Sequence, residues 1–197
     1  MYHPDKLKGE EPSAVNKEMW LKIQNAYEKL SNPEERKKYD STLPFDDSIP
    51  SDDEEFSEEV FYATFRPVFE RNAQWSKQTP VPGLGDENTV FKKVNTFYDF
   101  WFDFRTWRDF SQHDEYDLNE AADRYEKRYM DRENKKVREK HLRKERARIN
   151  KLVETAYKHD PRVLREARKA EEEKARKRNE KLARKQRERD ELREREE

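Results

Sequence analysis

Apolar residues are spread so unevenly along this chain that only part of it can build a core. Between Phe56 and Phe110 aromatic side chains crowd together, whereas beyond Arg162 the sequence is almost purely Glu, Lys, Arg and Ala. Over the 197 residues, 45% are charged and 31% hydrophobic, well off the usual balance for a packed domain of this length. The chain holds three glycines, so the φ > 0 turns that close β-hairpins are scarce and a helical fold is favoured. The expected class is all-α: a small helical domain with an aromatic core, then a long basic helix continuing into a charged single helix.

The helical elements carry their own punctuation. Val15, Met19, Trp20, Ile23, Ala26, Tyr27 and Leu30 recur at helical spacing over 14–30, with Ser13 as the N-cap. Asn32, Pro33 and Glu35 stand in capping-box order and predict a new helix over 32–40. The run from Asp46 to Glu59, with Pro44 and Pro50, holds too little apolar surface to order itself and reads as an acidic linker. Phe61, Tyr62, Phe65 and Phe69 open the aromatic region, where Pro67 predicts a kink or a helix pair. A Pro- and Gly-containing loop over 76–88 leads to Val90, Phe91, Val94, Phe97, Tyr98, Trp101 and Phe102 at helical spacing. These aromatics are expected to pack as a core rather than to stack on bases.

Asp117-Leu118-Asn119-Glu120 reads as a capping box launching a helix toward His159, stopped by Pro161. Ala121, Ala122, Tyr125 and Tyr129 at its start, and Ile149, Leu152, Val153, Ala156 and Tyr157 at its end, offer faces to dock on the aromatic core. Farther on, Glu172–Arg176, Glu173–Lys177, Glu180–Arg184 and Glu191–Arg195 are i,i+4 pairs in the favourable order. Leu182 and Leu192 stand without a heptad around them, so a solvated single helix is expected rather than a coiled coil.

Several chemistries find no support. The chain has no cysteine, hence no disulfide framework or thiolate metal site. His3, His113, His141 and His159 show no ligand spacing and read as separate surface or loop histidines. Gly-rich phosphate loops and nucleophile elbows are absent from the sequence, and no catalytic residue, metal site or cofactor is assigned. No apolar stretch approaches the roughly 20 residues that span a bilayer, so no membrane partner is expected.

The net charge of −1 conceals segregation. Residues 132–169 carry 15 Lys/Arg against 6 Asp/Glu, an asymmetry that points to a partner surface. Arg132, Lys135, Lys136, Arg138, Lys140, Arg143, Lys144, Arg146, Arg148 and Lys151 are the candidate binding residues, with Lys136, Lys140, Arg143 and Lys144 along one ridge. Cations in that pattern suit the phosphate backbone of structured RNA, bound in a salt-dependent way without base readout.

Tyr2-His3-Pro4-Asp5-Lys6, followed by Ala26-Tyr27-Glu28-Lys29-Leu30 and Asn32-Pro33-Glu34-Glu35-Arg36-Lys37-Lys38-Tyr39-Asp40, resembles the back half of a J-domain. Farther along, Phe61-Tyr62-Ala63-Thr64-Phe65-Arg66-Pro67-Val68-Phe69, Val81-Pro82-Gly83-Leu84-Gly85, Phe97-Tyr98-Asp99-Phe100-Trp101 and Arg128-Tyr129-Met130-Asp131-Arg132-Glu133-Asn134-Lys135-Lys136 resemble the zuotin family of ribosome-associated J-proteins, which are Hsp40-type cochaperones. The likeness spans nearly the whole chain. It divides the chain into J-domain helices (1–43), the acidic linker (44–56), a zuotin-homology domain (57–161) and the start of a charged middle domain (162–197).

The resemblance implies that His3, Pro4 and Asp5 engage an Hsp70 ATPase and that the zuotin-homology domain binds the large ribosomal subunit through rRNA near the polypeptide tunnel exit. It further implies a cytoplasmic, ribosome-associated protein that assists nascent-chain folding beside an atypical Hsp70 partner, whose binding segment lies outside this chain. The two helices that precede the His-Pro-Asp loop in the family are also absent, so the fragment is not expected to stimulate an ATPase alone. Two alternatives stay open: a general nucleic-acid binder with an incidental J-like remnant, and a purely mechanical linker.

Overall fold

The computed structural model describes residues 14–54 and 56–196. Among them the chain is helical and has no strand: α1 (Ala14–Ser31), α2 (Pro33–Thr42), α3 (Glu58–Ala73), α4 (Phe91–Phe102), α5 (Arg124–His159) and α6 (Pro161–Glu196), with a short 3-10 turn at Ser111–His113. The all-α expectation holds. The expected Ser13 cap lies outside the described residues. Two compact units divide the chain. The first holds the described residues through Ser48 together with Arg105–Ala147; the second holds Ile49–Phe104 and Arg148 onward.

In the second unit the sequence's aromatic density becomes a core. Phe61, Phe65 and Phe69 from α3, Val94, Phe97 and Trp101 from α4, and Ile149, Leu152, Val153 and Ala156 from α5 are all buried, with Leu84 from the α3–α4 loop. Phe69 meets Phe97 and Trp101 edge-on at 4.9 and 4.8 Å between centroids, while Trp101 stacks on Phe104 at 4.8 Å. Each such burial contributes about 1.5–3 kcal/mol, and the ring geometry adds to it. Of the two outcomes expected at Pro67, the helix pair does not form: α3 continues past it as one helix, with Phe65, Val68 and Phe69 around it held in the core. Packing outweighs the lost N–H of one proline.

A buried polar cluster sits beside the rings. Asp160, fully buried, accepts hydrogen bonds from the Tyr98 hydroxyl (2.8 Å), the Arg162 backbone N–H (2.8 Å) and the Arg162 guanidinium (2.7 and 3.0 Å). Arg162 in turn donates to the carbonyls of Leu84 (2.8 Å) and Asp86 (3.0 Å), closing the glycine loop. Within that loop Gly85 has φ +74, and a Cβ there would meet the Thr89 Oγ1 at 2.5 Å, so this turn requires glycine. Burial works against the Arg162 charge, but the Asp160 hydrogen bond and negative charge outweigh it and raise its pKa. Burial, reinforced by Asp160, also pushes the Tyr98 hydroxyl well above its ordinary pKa. The cluster marks the stop that Pro161 predicts: α5 ends at His159 and the charged helix α6 begins at Pro161, because Pro161 has no N–H for α5's ladder and Asp160 caps the new helix.

The acidic stretch is more ordered than expected. Before α3 begins at Glu58 its described residues form no helix or strand, yet in the second unit Asp52 pairs with Lys158 (3.0 Å) and His159 (3.3 Å), and Phe56 meets Phe65 edge-on at 5.1 Å. In the first unit Arg108 reaches Asp47 at 2.7 Å and lies over the Phe45 ring.

From residue 167 to residue 191, α6 is an exposed charged helix. Lys177 pairs with Glu173 at 2.6 Å as expected, whereas Arg176 and Arg184 reach forward to Glu180 (3.7 Å) and Glu188 (3.2 Å).

Replacing Asp160 by Ala leaves the buried Arg162 charge uncompensated, which should destabilise the chain by about 3–5 kcal/mol. Urea unfolding followed by tryptophan fluorescence measures it, with Asp52→Ala, at a surface pair, as the near-neutral comparison.

Candidate nucleic-acid interface

The first unit buries no large apolar residue among those described; its buried residues are Ser41, Thr106, Asn134 and Glu145. Polar contacts, together with half-buried rings such as Trp107 and Phe110, join its described residues. At its near end, Asn32 caps α2 by accepting from the N–H groups of Glu34 (2.9 Å) and Glu35 (3.3 Å), as the capping box predicts. No residue of α1 is buried; of its expected apolar stripe, Val15, Met19, Ile23, Tyr27 and Leu30 are exposed and Trp20 is half-buried. Ser41 joins α2 to the 105–114 segment: its hydroxyl accepts from the Asp109 N–H (2.9 Å) and donates to the Lys37 carbonyl (2.7 Å).

Helix α5 starts at Arg124, later than the Asp117 signal implies. Asp117 instead closes a turn, accepting from the Asn119 N–H at 2.9 Å. The true cap is Asp123, whose carboxylate accepts from the N–H groups of Tyr125 (2.7 Å) and Glu126 (2.8 Å), while Glu126 accepts from Ala122 (2.6 Å). This is the same capping-box logic, one signal downstream.

Within the first unit α5 docks by a polar stripe. Asn134, Arg138, His141 and Glu145 follow one another at spacings of four, three and four, so they share one face. The fully buried Asn134 accepts from the N–H groups of Glu115 and Tyr116 (both 3.0 Å) and donates to the Tyr116 carbonyl (2.8 Å). Arg138 forms a two-pronged pair with Asp114, Nε to Oδ1 at 2.6 Å and Nη2 to Oδ2, and Asp114 raises its pKa. His141 stacks face to face on His113, 3.9 Å between centroids, with Phe110 against both. Glu145 is buried with Arg108 at 3.6 Å.

That inward stripe decides which cations face out. Lys135, Lys136, Lys140, Arg143, Lys144 and Arg146 are exposed, as is Arg132, whose guanidinium lies 5.9 Å from the Tyr129 ring centroid. Of the acids in the stretch, Glu145 is turned inward and Glu133 pairs with Lys136 at 2.7 Å, which leaves Glu139 exposed. Arg138, one of the candidate binding residues, is held inward by Asp114. Arg148, in the second unit, is half-buried and donates to the Asn72 side chain at 2.7 Å; Lys151, also there, is exposed. Tyr125 and Tyr129 depart from expectation most: they do not dock on a core but stand 81% and 47% exposed. His3, Pro4 and Asp5 lie outside the described residues.

The family profile described as zuotin-like, zuotin homology domain matches residues 60–164, and a DnaJ domain profile matches residues 1–40. The chain belongs to the zuotin-like family of J-domain proteins. DnaJ homolog subfamily C member 2 of Rattus norvegicus is 41% identical over 177 residues, covering 87% of this chain and 28% of that protein. Zuotin of Saccharomyces cerevisiae is 38% identical over 162 residues, covering 82% and 37%, and zuotin of Schizosaccharomyces pombe is 36% identical over 163 residues, covering 82% and 36%. The chain thus spans roughly a third of the length of these relatives. The zuotin homology match includes α3, α4, α5 and the start of α6, and so the whole polar stripe and the cationic face.

Loss of water around His141, together with the charges of His113, Lys144 and Lys140, lowers its pKa. A histidine whose folded pKa is depressed binds fewer protons than the unfolded chain as pH falls through its ordinary range, so folding is weakened below about pH 6.5. His141→Phe, which keeps a ring against Phe110, should flatten the fall in melting temperature between about pH 7.5 and 5.5, measured by circular dichroism.

Proposed function

We propose that this chain is the ribosome-anchoring part of a J-protein cochaperone, and that the outward face of α5 holds it to rRNA. The observation that carries this reading is the segregation of α5 itself. Asn134, Arg138, His141 and Glu145 face inward and are satisfied there, while Lys135, Lys136, Lys140, Arg143, Lys144 and Arg146 face water with one exposed carboxylate, Glu139, among them. A solvated helix would mix both signs evenly, as α6 does. A ridge of one sign meets a polyanion by releasing the polyanion's counterions, and lysines and arginines spaced along a helix fit the backbone of structured RNA without reading its sequence.

In this reading the target is the large ribosomal subunit near the polypeptide tunnel exit, and the protein acts in the cytoplasm on ribosomes. The J-domain match over residues 1–40 supports an Hsp70 ATPase as the second partner, with His3, Pro4 and Asp5 as its contacts. Assistance to nascent chains follows from holding that Hsp70 where polypeptide emerges, and an atypical Hsp70 is a further partner in this reading. No helix among the described residues is long and apolar enough to cross a membrane. The protein regulates another protein's ATPase in this reading and has no catalytic residue of its own. Arg138 and Arg148 leave the binding set, since Asp114 and Asn72 hold them; Arg132 and Lys151 remain in it.

Co-sedimentation with ribosomes across a salt series tests this. Reversing Lys140, Arg143 and Lys144 to Glu should weaken binding about tenfold or more, and should lower the slope of log K against log salt by roughly two to three. Replacing Arg138 by Gln should lower the melting temperature and leave that slope unchanged. Unchanged co-sedimentation after charge reversal contradicts the proposal, and equal affinity for duplex DNA at the same salt favours a general nucleic-acid binder instead.

A further inference from the structure

Tyr125 and Tyr129 head the same face of α5 that carries the exposed cations. Tyr125, Tyr129, Arg132, Lys136, Lys140 and Arg143 follow at spacings of four, three, four, four and three, which keeps them in one row along the helix. From Tyr125 to Arg143 the row extends roughly 27 Å at helical rise.

The two rings are held differently. Tyr129 is braced: the Tyr116 ring meets it edge-on at 6.1 Å, and the Arg132 guanidinium lies 5.9 Å from its centroid. Tyr125 leaves 81% of its surface in water, yet the backbone beneath it is fixed by the Asp123 cap. The acids of that first turn are engaged, because the Asp123 and Glu126 carboxylates accept backbone N–H groups. A large ring set on a rigid turn and continued by cations joins a π-face to a phosphate-binding track. Proteins hold unpaired nucleotides with that combination, stacking a base on the ring while cations follow the backbone. An apolar protein surface would not call for the cations, and paired bases would offer the ring no free face.

We propose that the start of α5 is a base-stacking site, in which Tyr125, flanked by the braced Tyr129 and by Arg132, stacks on an unpaired nucleotide of RNA whose adjoining phosphates lie along the Lys136–Arg143 ridge. The site rests on the RNA-anchoring reading above and adds to it a preference for RNA with a loop or bulge over uninterrupted duplex.

Fluorescence anisotropy with two labelled RNAs of equal phosphate number, one a hairpin with an unpaired loop and the other a blunt duplex, tests this on the full chain. The wild type should prefer the hairpin. Tyr125→Ala should weaken hairpin binding roughly ten- to hundredfold while leaving duplex affinity and the salt slope unchanged, and Tyr125→Trp should retain the preference. Circular dichroism confirms that each variant is folded. If Tyr125→Ala binds the hairpin like the wild type while charge reversal at Lys140, Arg143 and Lys144 weakens both RNAs, the stacking site is wrong and the anchoring ridge stands. Equal losses on hairpin and duplex also overturn the stacking site. If the folded wild type binds neither RNA at low salt, the ridge and the stacking site fall together.

Discussion

A helix charged on nearly every face can be docked only by satisfying some of its charges inside. In the first unit, α5 meets that constraint with Asn134, Arg138, His141 and Glu145, and everything proposed for its outer face depends on this stripe. Asn134 closes three hydrogen bonds with the 115–116 backbone, Arg138 clasps Asp114, and His141 stacks on His113. Buried polar groups left without partners cost more than they return when paired. The stripe therefore fixes the helix's rotation about its own axis more sharply than a row of leucines would. Rotation by one residue would bury a lysine and expose the partners of Asn134. The same stripe withdraws Glu145 from solvent and leaves a surface of nearly one sign.

The second unit solves a different problem with different chemistry. The aromatic-rich helices α3 and α4 and an aliphatic face of α5 pack around Phe61, Phe65, Phe97 and Trp101, and a buried ion pair, Asp160–Arg162, ends one helix, starts another and ties down the loop at Leu84 and Asp86. The aromatic rings supply most of the driving force through burial. A buried ion pair adds little net stability but penalises any arrangement that separates its partners. Placing it at the α5–α6 junction makes the break at Asp160 a fixed feature.

Much of this was legible in the sequence because the signals were local. The Asn32-Pro33 start of α2, the apolar periodicity of α4 and the sign pattern of α6 each lie within a few residues of the structure they specify. What was not legible depends on partners far away in the chain. Arg138 looks like any other cation of the candidate binding set until Asp114 is beside it, and Glu145 looks solvated until Arg108 meets it. Tyr125 and Tyr129 read as core because aromatics usually are, yet Tyr125 stands exposed and Tyr129 is half-exposed beside the Tyr116 ring. Pro67 left a helix pair open as well as a kink because the density of rings holding α3 together as one helix is a tertiary effect. A polar stripe at spacings of four, three and four was present in the sequence all along; it resembles a docking face once polar residues are admitted to that role.

The central claim is that one face of α5, and not its charge as a whole, touches the ribosome. Amine-reactive labelling of lysines, read by mass spectrometry with the chain free and bound to large ribosomal subunits, tests it residue by residue. The account predicts that Lys135, Lys136, Lys140 and Lys144 become protected on binding while Lys37 and Lys177 label at the same rate in both states. Equal reactivity of the α5 lysines in free and bound protein, or protection confined to α6, would contradict it.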